Sequence, residues 1–352
     1  MSEQLLIYGA NGYTGELVAR RAVERGLRPT LAGRSAEAVA ALGQALGLPS
    51  IVVGLDDAVR LDDALRGRAA VLHCAGPFSR TSAPMADACL RTGVHYLDIT
   101  GEIAVFERLH RRDAAARAAG IMLLPGVGFD VVPSDCLAAH LKRRLPSATR
   151  LTLAFRALGG VSHGTALTAL EGMPLGGAVR RAGKIVPVPA GHAVRQVDFG
   201  RGPVQVAAIP WGDVSTAYHS TGIPNIEVYT YFPPPVVRLM GLSRLAGPLL
   251  AAGPVQALLR GLLRRQPPGP SAAERARGLS LLWGEAVDDE GRRVVSRMRA
   301  PEGYTLTAAS AVHIAEQVLA GRATPGFQTP SLAFGPELVL ELDGVTREDL
   351  EP

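Results

Sequence analysis

Lysine is almost absent from this chain: of its 37 basic residues only Lys142 and Lys184 are lysines, and the other 35 are arginines. Two nucleotide-handling chemistries are excluded by that scarcity. Short-chain reductases need a tyrosine four residues before a catalytic lysine, and those positions hold Ala138 and Arg180. A Walker phosphate loop would need glycine where Ala178 precedes Gly183-Lys184, and a hydroxyl residue where Ile185 stands. Cysteine is also scarce. Cys74, Cys89 and Cys136 are too few and too scattered for a disulfide framework or a C-x-x-C metal site. No two of the eight histidines lie three or four residues apart, so no helical zinc pair exists and no metal is expected. No uninterrupted apolar run approaches the roughly 18 residues of a spanning helix. The start, MSEQLLIYGANG, has no basic region ahead of its apolar residues, so no signal peptide is expected. The expectation is a cytoplasmic, reduced, globular enzyme with no nucleic-acid partner.

What is present is enough apolar material for two cores. At 352 residues, 47% hydrophobic and 20% charged, two folding units are the natural reading. The net charge of +5 is unevenly placed, since residues 236–300 hold 11 arginines against 5 acids.

The first 130 residues alternate between strand and helix. QLLIYG, LRPTLAG, SIVVG, AVLHCAGPF, VHYLDIT and IMLLPG read as strands. Residues 13–26, 36–46, 61–65, 83–92 and 106–119 read as the helices between them. Alternation at this spacing means right-handed crossovers and a parallel sheet. Past Pro133 one helix (134–145) leads into TRLTLAF and further strand-like stretches as far as Tyr231. A hairpin turns near Asp289-Glu290-Gly291, and 304–319 reads as a helix. The fold expected is therefore α/β. A Rossmann-like, doubly wound parallel sheet spans 1–133 and a second, mixed α+β domain spans 134–302. Residues from about 303 to 352 are placed to pack back on the first.

The chemistry begins at Gly9-Ala10-Asn11-Gly12-Tyr13-Thr14-Gly15, between the first strand and the first helix. Glycines there let the backbone approach a pyrophosphate, which sits on the helix N-terminus. Dinucleotide binding through Gly9, Asn11, Gly12, Tyr13, Thr14 and Gly15 follows. The second strand ends Ala32-Gly33-Arg34-Ser35, and no acid occurs between Arg25 and Ala36. NAD-binding sheets place an acid there for the ribose hydroxyls, whereas a guanidinium with a hydroxyl suits a 2′-phosphate. Arg34 and Ser35 thus point to NADP(H). Gly160-Val161-Ser162-His163-Gly164 also matches a nucleophile elbow, with Asp198, Asp213, His219 and His313 downstream. A hydrolase would leave the dinucleotide loop without a use, so a turn facing cofactor or substrate is the preferred reading.

Three further segments carry a resemblance. Cys74-Ala75-Gly76-Pro77-Phe78, the run from His95 to Glu102, and Gly128-Phe129-Asp130-Val131-Val132-Pro133-Ser134-Asp135 resemble the saccharopine dehydrogenase-like superfamily. Their combination is similar to its trans-acting enoyl reductase branch, which serves polyketide lipid assembly. The resemblance is strong over the first 145 residues and one of layout beyond Gly183. It implies that the Gly9–Gly15 loop and Arg34 hold NADP, and that Ala75, Gly76, Pro77 and Phe78 pass beside the nicotinamide ribose. A hydride acceptor also needs its enolate or alkoxide protonated. Tyr96 and His163 are the candidate proton donors, with Asp98 to orient the donor or bind ribose, and Glu102 close by. The rival within the superfamily is a saccharopine-type amino-acid or imine dehydrogenase, which a polar pocket with two or more converging arginines would mark. A non-catalytic NADP- or lipid-binding protein is the rival from another class.

The segment 232–265 is apolar, carries Arg238, Arg244, Arg260, Arg264 and Arg265, and contains no acid. Pro248 and Pro254 interrupt it, so a span is not expected. The expectations for it are contact with an acyl-thioester or other hydrophobic substrate, an acyl carrier or a membrane surface. Core helices at a homodimer interface are the alternative.

Overall fold

Strands buried on both faces read as nearly continuous apolar runs, and LLIY, TLAG and AVLH fit that, every residue buried and only Thr30 and His73 polar. The computed structural model describes residues 4–159, 176–189, 191–233 and 268–351, with positions 162, 164, 166 and 261. The described residues form two units. The first is Met1–Val132 with Tyr304–Ala333, and the second is Pro133–Gly303 with Phe334–Pro352.

In the first unit β1 (Leu5–Tyr8), β2 (Thr30–Gly33), β3 (Ser50–Val52), β4 (Ala70–His73), β5 (His95–Asp98) and β6 (Met122–Leu124) alternate with α1 (Tyr13–Glu24), α2 (Ala36–Leu46), α3 (Ala58–Leu65), α4 (Phe78–Thr92), α5 (Ile103–His110) and α6 (Asp113–Ala118). The sheet is parallel, in the order β6-β5-β4-β1-β2-β3, so the strands' carboxyl ends share one edge. A seventh strand, Gly326–Phe327, pairs with β6. The expected helix over 106–119 is two helices. Asp113 starts the second and uses its carboxylate to accept the Phe327 N–H at 2.8 Å, which ties the added strand down.

The second unit carries α7 (Val132–Arg144) and a nine-stranded mixed sheet. Its strands are β7 (Arg150–Leu158), β8 (Gly177–Arg181), β9 (Lys184–Val188), β10 (Val194–Asp198), β11 (Pro203–Ala208), β12 (Asn225–Tyr231), β13 (Leu279–Val287), β14 (Arg293–Pro301) and, counting Gly326–Phe327 as β15, β16 (Thr346–Leu350). The main path runs β10-β11-β12-β7-β13-β14-β16, and only β12 and β7 are parallel. β10 and β13 are four places apart, about 19 Å in a flat sheet, yet Arg195 of β10 reaches Glu285 of β13 at 3.1 Å. The sheet therefore curls on itself. Its concave face is filled by Ala154, Val197, Phe199, Val206, Tyr229 and Trp283. The other face packs on α7: a Cβ on Gly284 would meet Leu141 at 2.6 Å.

The last residues depart from expectation. Only Tyr304–Ala333 joins the first unit, and the chain beyond it returns to the second, where β16 pairs with β14 along Val295–Arg299. Asp349 accepts from Ser296 Oγ at 2.7 Å and lies 2.8 Å from His140 Nε2, so this short edge strand is anchored by polar contacts.

Candidate dinucleotide and nicotinamide site

The three glycines of the first loop serve three different ends. Gly9 follows β1 with φ +76°, and a Cβ there would lie 2.7 Å from Ala75 Cβ, so this turn abuts the loop after β4. A Cβ on Gly15 would lie 2.2 Å from the Gly9 carbonyl, which is how closely α1 crosses the end of β1. Gly12 has no such reason. Its backbone is extended (φ −79°, ψ 160°), and a Cβ would meet only the Gly9 oxygen, at 3.3 Å. Gly12 is the N-cap of α1, and no side chain caps that helix. An uncapped positive helix end with a bare, exposed glycine fits a pyrophosphate. Asn11 is exposed and Thr14 half-buried in the same loop, and Asn11 Oδ1 rests against Gly33 at the end of β2. Tyr13 packs edge-on against Tyr304, ring centroids 5.1 Å apart.

At the end of β2, Arg34 is exposed and makes no ion pair among the described residues. Ser35 caps α2, its Oγ accepting from Ala38 N–H at 3.4 Å. No carboxylate stands in this stretch to repel a 2′-phosphate, so the donor set fits NADP(H).

The loop Ala75-Gly76-Pro77 contains a cis Gly76–Pro77 bond and ends where α4 begins at Phe78, five residues before the expected start. The cause is Glu102, whose carboxylate accepts from Phe78 N–H at 2.7 Å and Ser79 N–H at 2.9 Å. Glu102 is thus spent capping α4. Thr81 Oγ1 donates to the Ala75 carbonyl at 2.7 Å and holds the loop from the other side.

At the ends of β5 and β6 the expected donors lie inside the protein. Tyr96 and Asp98 are fully buried, and the tyrosine hydroxyl donates to Asp98 Oδ2 at 2.6 Å. Asp98 Oδ1 accepts from Thr100 N–H at 2.9 Å and Gly126 N–H at 3.0 Å. Both groups are therefore engaged within the sheet edge. Burial pushes the Asp98 carboxyl up to about 6 and the Tyr96 phenol well above its ordinary range. His163 lies outside the described residues. Cys74 is also unreactive, because burial, assisted by Asp98, pushes its thiol up to about 12.

A residue quoted only as part of a motif lies at the same edge. Asp130, in the loop after β6, is half-buried, and its Oδ2 would be 2.7 Å from a Cβ on Gly101 at the β5 edge. Burial pushes its carboxyl up to about 7. Sequence could have flagged it only as an acid at a strand's carboxyl end. The upward shift comes from packing.

In the second unit Arg150, Arg181 and Arg195 line a polar groove with Glu227 and Glu285. Arg181 pairs with Glu227, Arg195 with Glu285 and Arg150 with Asp289, so the protein's own carboxylates occupy the place of an acidic ligand. Of the hydrolase alternative, Gly160, Val161 and His163 lie outside the described residues, while Asp198 is held by Gly200 N–H, Gly202 N–H and Arg297. Among the described residues no group of three His, Cys, Asp or Glu is placed to hold a metal ion, and no helix is long and apolar enough to cross a membrane. Apart from Phe232, Pro233 and Gly261, the segment 232–265 lies outside the described residues.

These features define the first unit as a dinucleotide-binding α/β domain with a nicotinamide cofactor. Residues 5–124 match the saccharopine dehydrogenase NADP binding domain, to which that part of the chain is similar. A trans-acting enoyl reductase of Mycobacterium leprae is 39% identical over 152 residues, covering 40% of this chain and 36% of that protein. A saccharopine dehydrogenase-like oxidoreductase of Mus musculus is 26% identical over 161 residues, covering 40% and 38%. The chain thus spans little more than a third of the length of these relatives. The apo saccharopine dehydrogenase (L-Glu forming) of Saccharomyces cerevisiae superposes with a TM-score of 0.66 at 12% identity, over 99% of this chain and 100% of that one, and so shares the fold.

Proposed function

We propose that this oxidoreductase-family chain is an NADPH-dependent reductase acting on the conjugated double bond of an acyl thioester. The observation that carries the reading is the uncapped N-terminus of α1 at Gly12 combined with an acid-free β2 end carrying exposed Arg34. The enoyl reductase names borne by relatives of the first unit supply the reaction type.

NADPH, when bound, would supply the hydride that the β-carbon of the enoyl group takes up. The chain's own residues do the rest. The first-turn amides of α1 would hold the pyrophosphate, and Arg34 would pair with the 2′-phosphate. Glu102 and Thr81 fix the Ala75–Phe78 loop, so the nicotinamide side of the site is set before substrate arrives. Asp130, whose carboxyl burial lifts to about 7, would deliver a proton to the α-carbon as the enolate forms, which balances one hydride and one proton per double bond. Tyr96 and Asp98 act as positioning residues that lock the ends of β5 and β6. The acyl chain would arrive by a carrier or a lipid surface through 232–265.

The test is NADPH consumption with 2-enoyl coenzyme A esters of short, medium and long chain, against an amino acid plus a keto acid as the imine-forming pair. Consumption with an enoyl ester and release of the saturated ester are expected. Turnover of the imine pair alone would replace this reading with the amino-acid dehydrogenase.

A further inference from the structure

Four arginines at one end of the second unit's sheet are all matched by acids. Arg181 has Glu227, Arg195 and Arg293 share Glu285, and Arg150 has Asp289. Arg156 is different. It lies on β7 in line with Arg150, Thr152 and Ala154, so it belongs to the concave face, because alternate residues of a strand share a side. Among the described residues it has no ion pair, and its Nε is shielded from water with no acceptor. Its guanidinium lies 4.4 Å from the centroid of the Tyr231 ring. The residue as a whole is only half-buried, so a ligand can reach it.

Stacking on an aromatic face fixes the guanidinium plane and leaves its in-plane N–H donors pointing outward. An arginine over an aromatic ring, with no ion pair among the described residues and an Nε without an acceptor, is one that a bidentate oxyanion would complete. Its place within the unit also distinguishes it from the groove. Strand β7 runs from Arg150, beside the groove, to Leu158, which pairs across Leu279 towards the end of β14 at Pro301. Between the groove and Arg156 the concave face is apolar, with Ala154, Trp283 and Leu281. Arg156 therefore faces its own end of the curled sheet.

We propose that Arg156 is a binding site, within the second unit, for an oxyanion: the carboxylate of an organic acid or the phosphate of a coenzyme A-like group.

The experiment is isothermal titration of the full chain, without turnover, using three probes: glutarate, coenzyme A and inorganic phosphate. Wild type should bind glutarate or coenzyme A saturably, and which of the two binds identifies the source of the oxyanion. Arg156→Gln should weaken that binding by about tenfold or more, while Arg156→Lys, which keeps the charge without the fork, should fall between. Arg150→Gln, which removes a matched arginine, should leave it within about twofold. Melting curves identify a variant that has lost its fold, and the lysine variant then decides alone: undiminished binding overturns the proposal. Equal binding by wild type and Arg156→Gln, or no binding of any probe by wild type, also overturns it. Anion binding that depends on Arg156 in a protein inactive on every enoyl ester would sink the reductase reading and leave the anchor standing.

Discussion

Tyr96 and Asp98 stand two residues apart on β5, and the hydroxyl of one is held by the carboxylate of the other at 2.6 Å, with both side chains closed off from solvent. The same carboxylate takes an amide from Thr100 and another from Gly126 beyond β6. Burial raises the Asp98 carboxyl from 3.8 to about 6. A carboxyl raised on folding costs stability as pH climbs, so the loss starts near pH 4 and is complete above about pH 6. At 1.36 kcal/mol per unit it amounts to about 3 kcal/mol. Asp98→Asn, neutral throughout, should remove this slope from denaturant midpoints while keeping an acceptor for the amides. Asp98→Ala should lose about 1–3 kcal/mol for each orphaned amide. An unchanged slope in the asparagine variant would show that Asp98 is not the group responsible.

The loop glycines should separate fold from binding. Gly15→Ala drives a methyl into the Gly9 carbonyl, and overpacking against backbone costs about 1–3 kcal/mol, seen as a lower Tm. Gly12→Ala meets nothing closer than 3.3 Å and should melt with wild type, yet weaken NADPH about tenfold by standing where the pyrophosphate approaches. Equal NADPH affinity in wild type and Gly12→Ala would move the pyrophosphate elsewhere.

Asp130 should govern the pH dependence of reduction. A general acid must carry its proton, so kcat/KM should fall as pH rises through about 7, the value to which burial lifts this carboxyl. Asp130→Asn should lose about 10²–10⁴ in turnover with NADPH affinity kept within about twofold. A variant that retains the wild-type profile would return the search for the donor to other groups, His163 among them.

The strands of the first unit, and the turn joining the first two of them, were legible because apolar runs and glycines act locally. Gly326–Phe327 was not, since two residues carry no periodicity and the strand exists only because Asp113 and β6 receive it. The return of 334–352 to the second unit was equally hidden. TREDL has no apolar alternation, and it pairs as an edge strand through Asp349 and its neighbours. The early start of α4 depends on Glu102, some 24 residues away in sequence, which no local capping pattern shows. For the candidate site, the acid-free stretch around Arg34 is a local feature of the sequence, whereas the raised carboxyl of Asp130 and the burial of Tyr96 arise from tertiary packing.

Arg34 is the residue proposed to recognise the phosphate that only NADPH carries. Charge-assisted hydrogen bonds contribute about 1.5–3 kcal/mol each. Calorimetric titration of wild type and Arg34→Ala with both cofactors should show NADPH favoured in wild type, about a tenfold or greater loss of NADPH affinity in the variant, and NADH affinity almost unmoved. Equal losses for NADPH and NADH, or a wild type that binds NADH as tightly as NADPH, would contradict it.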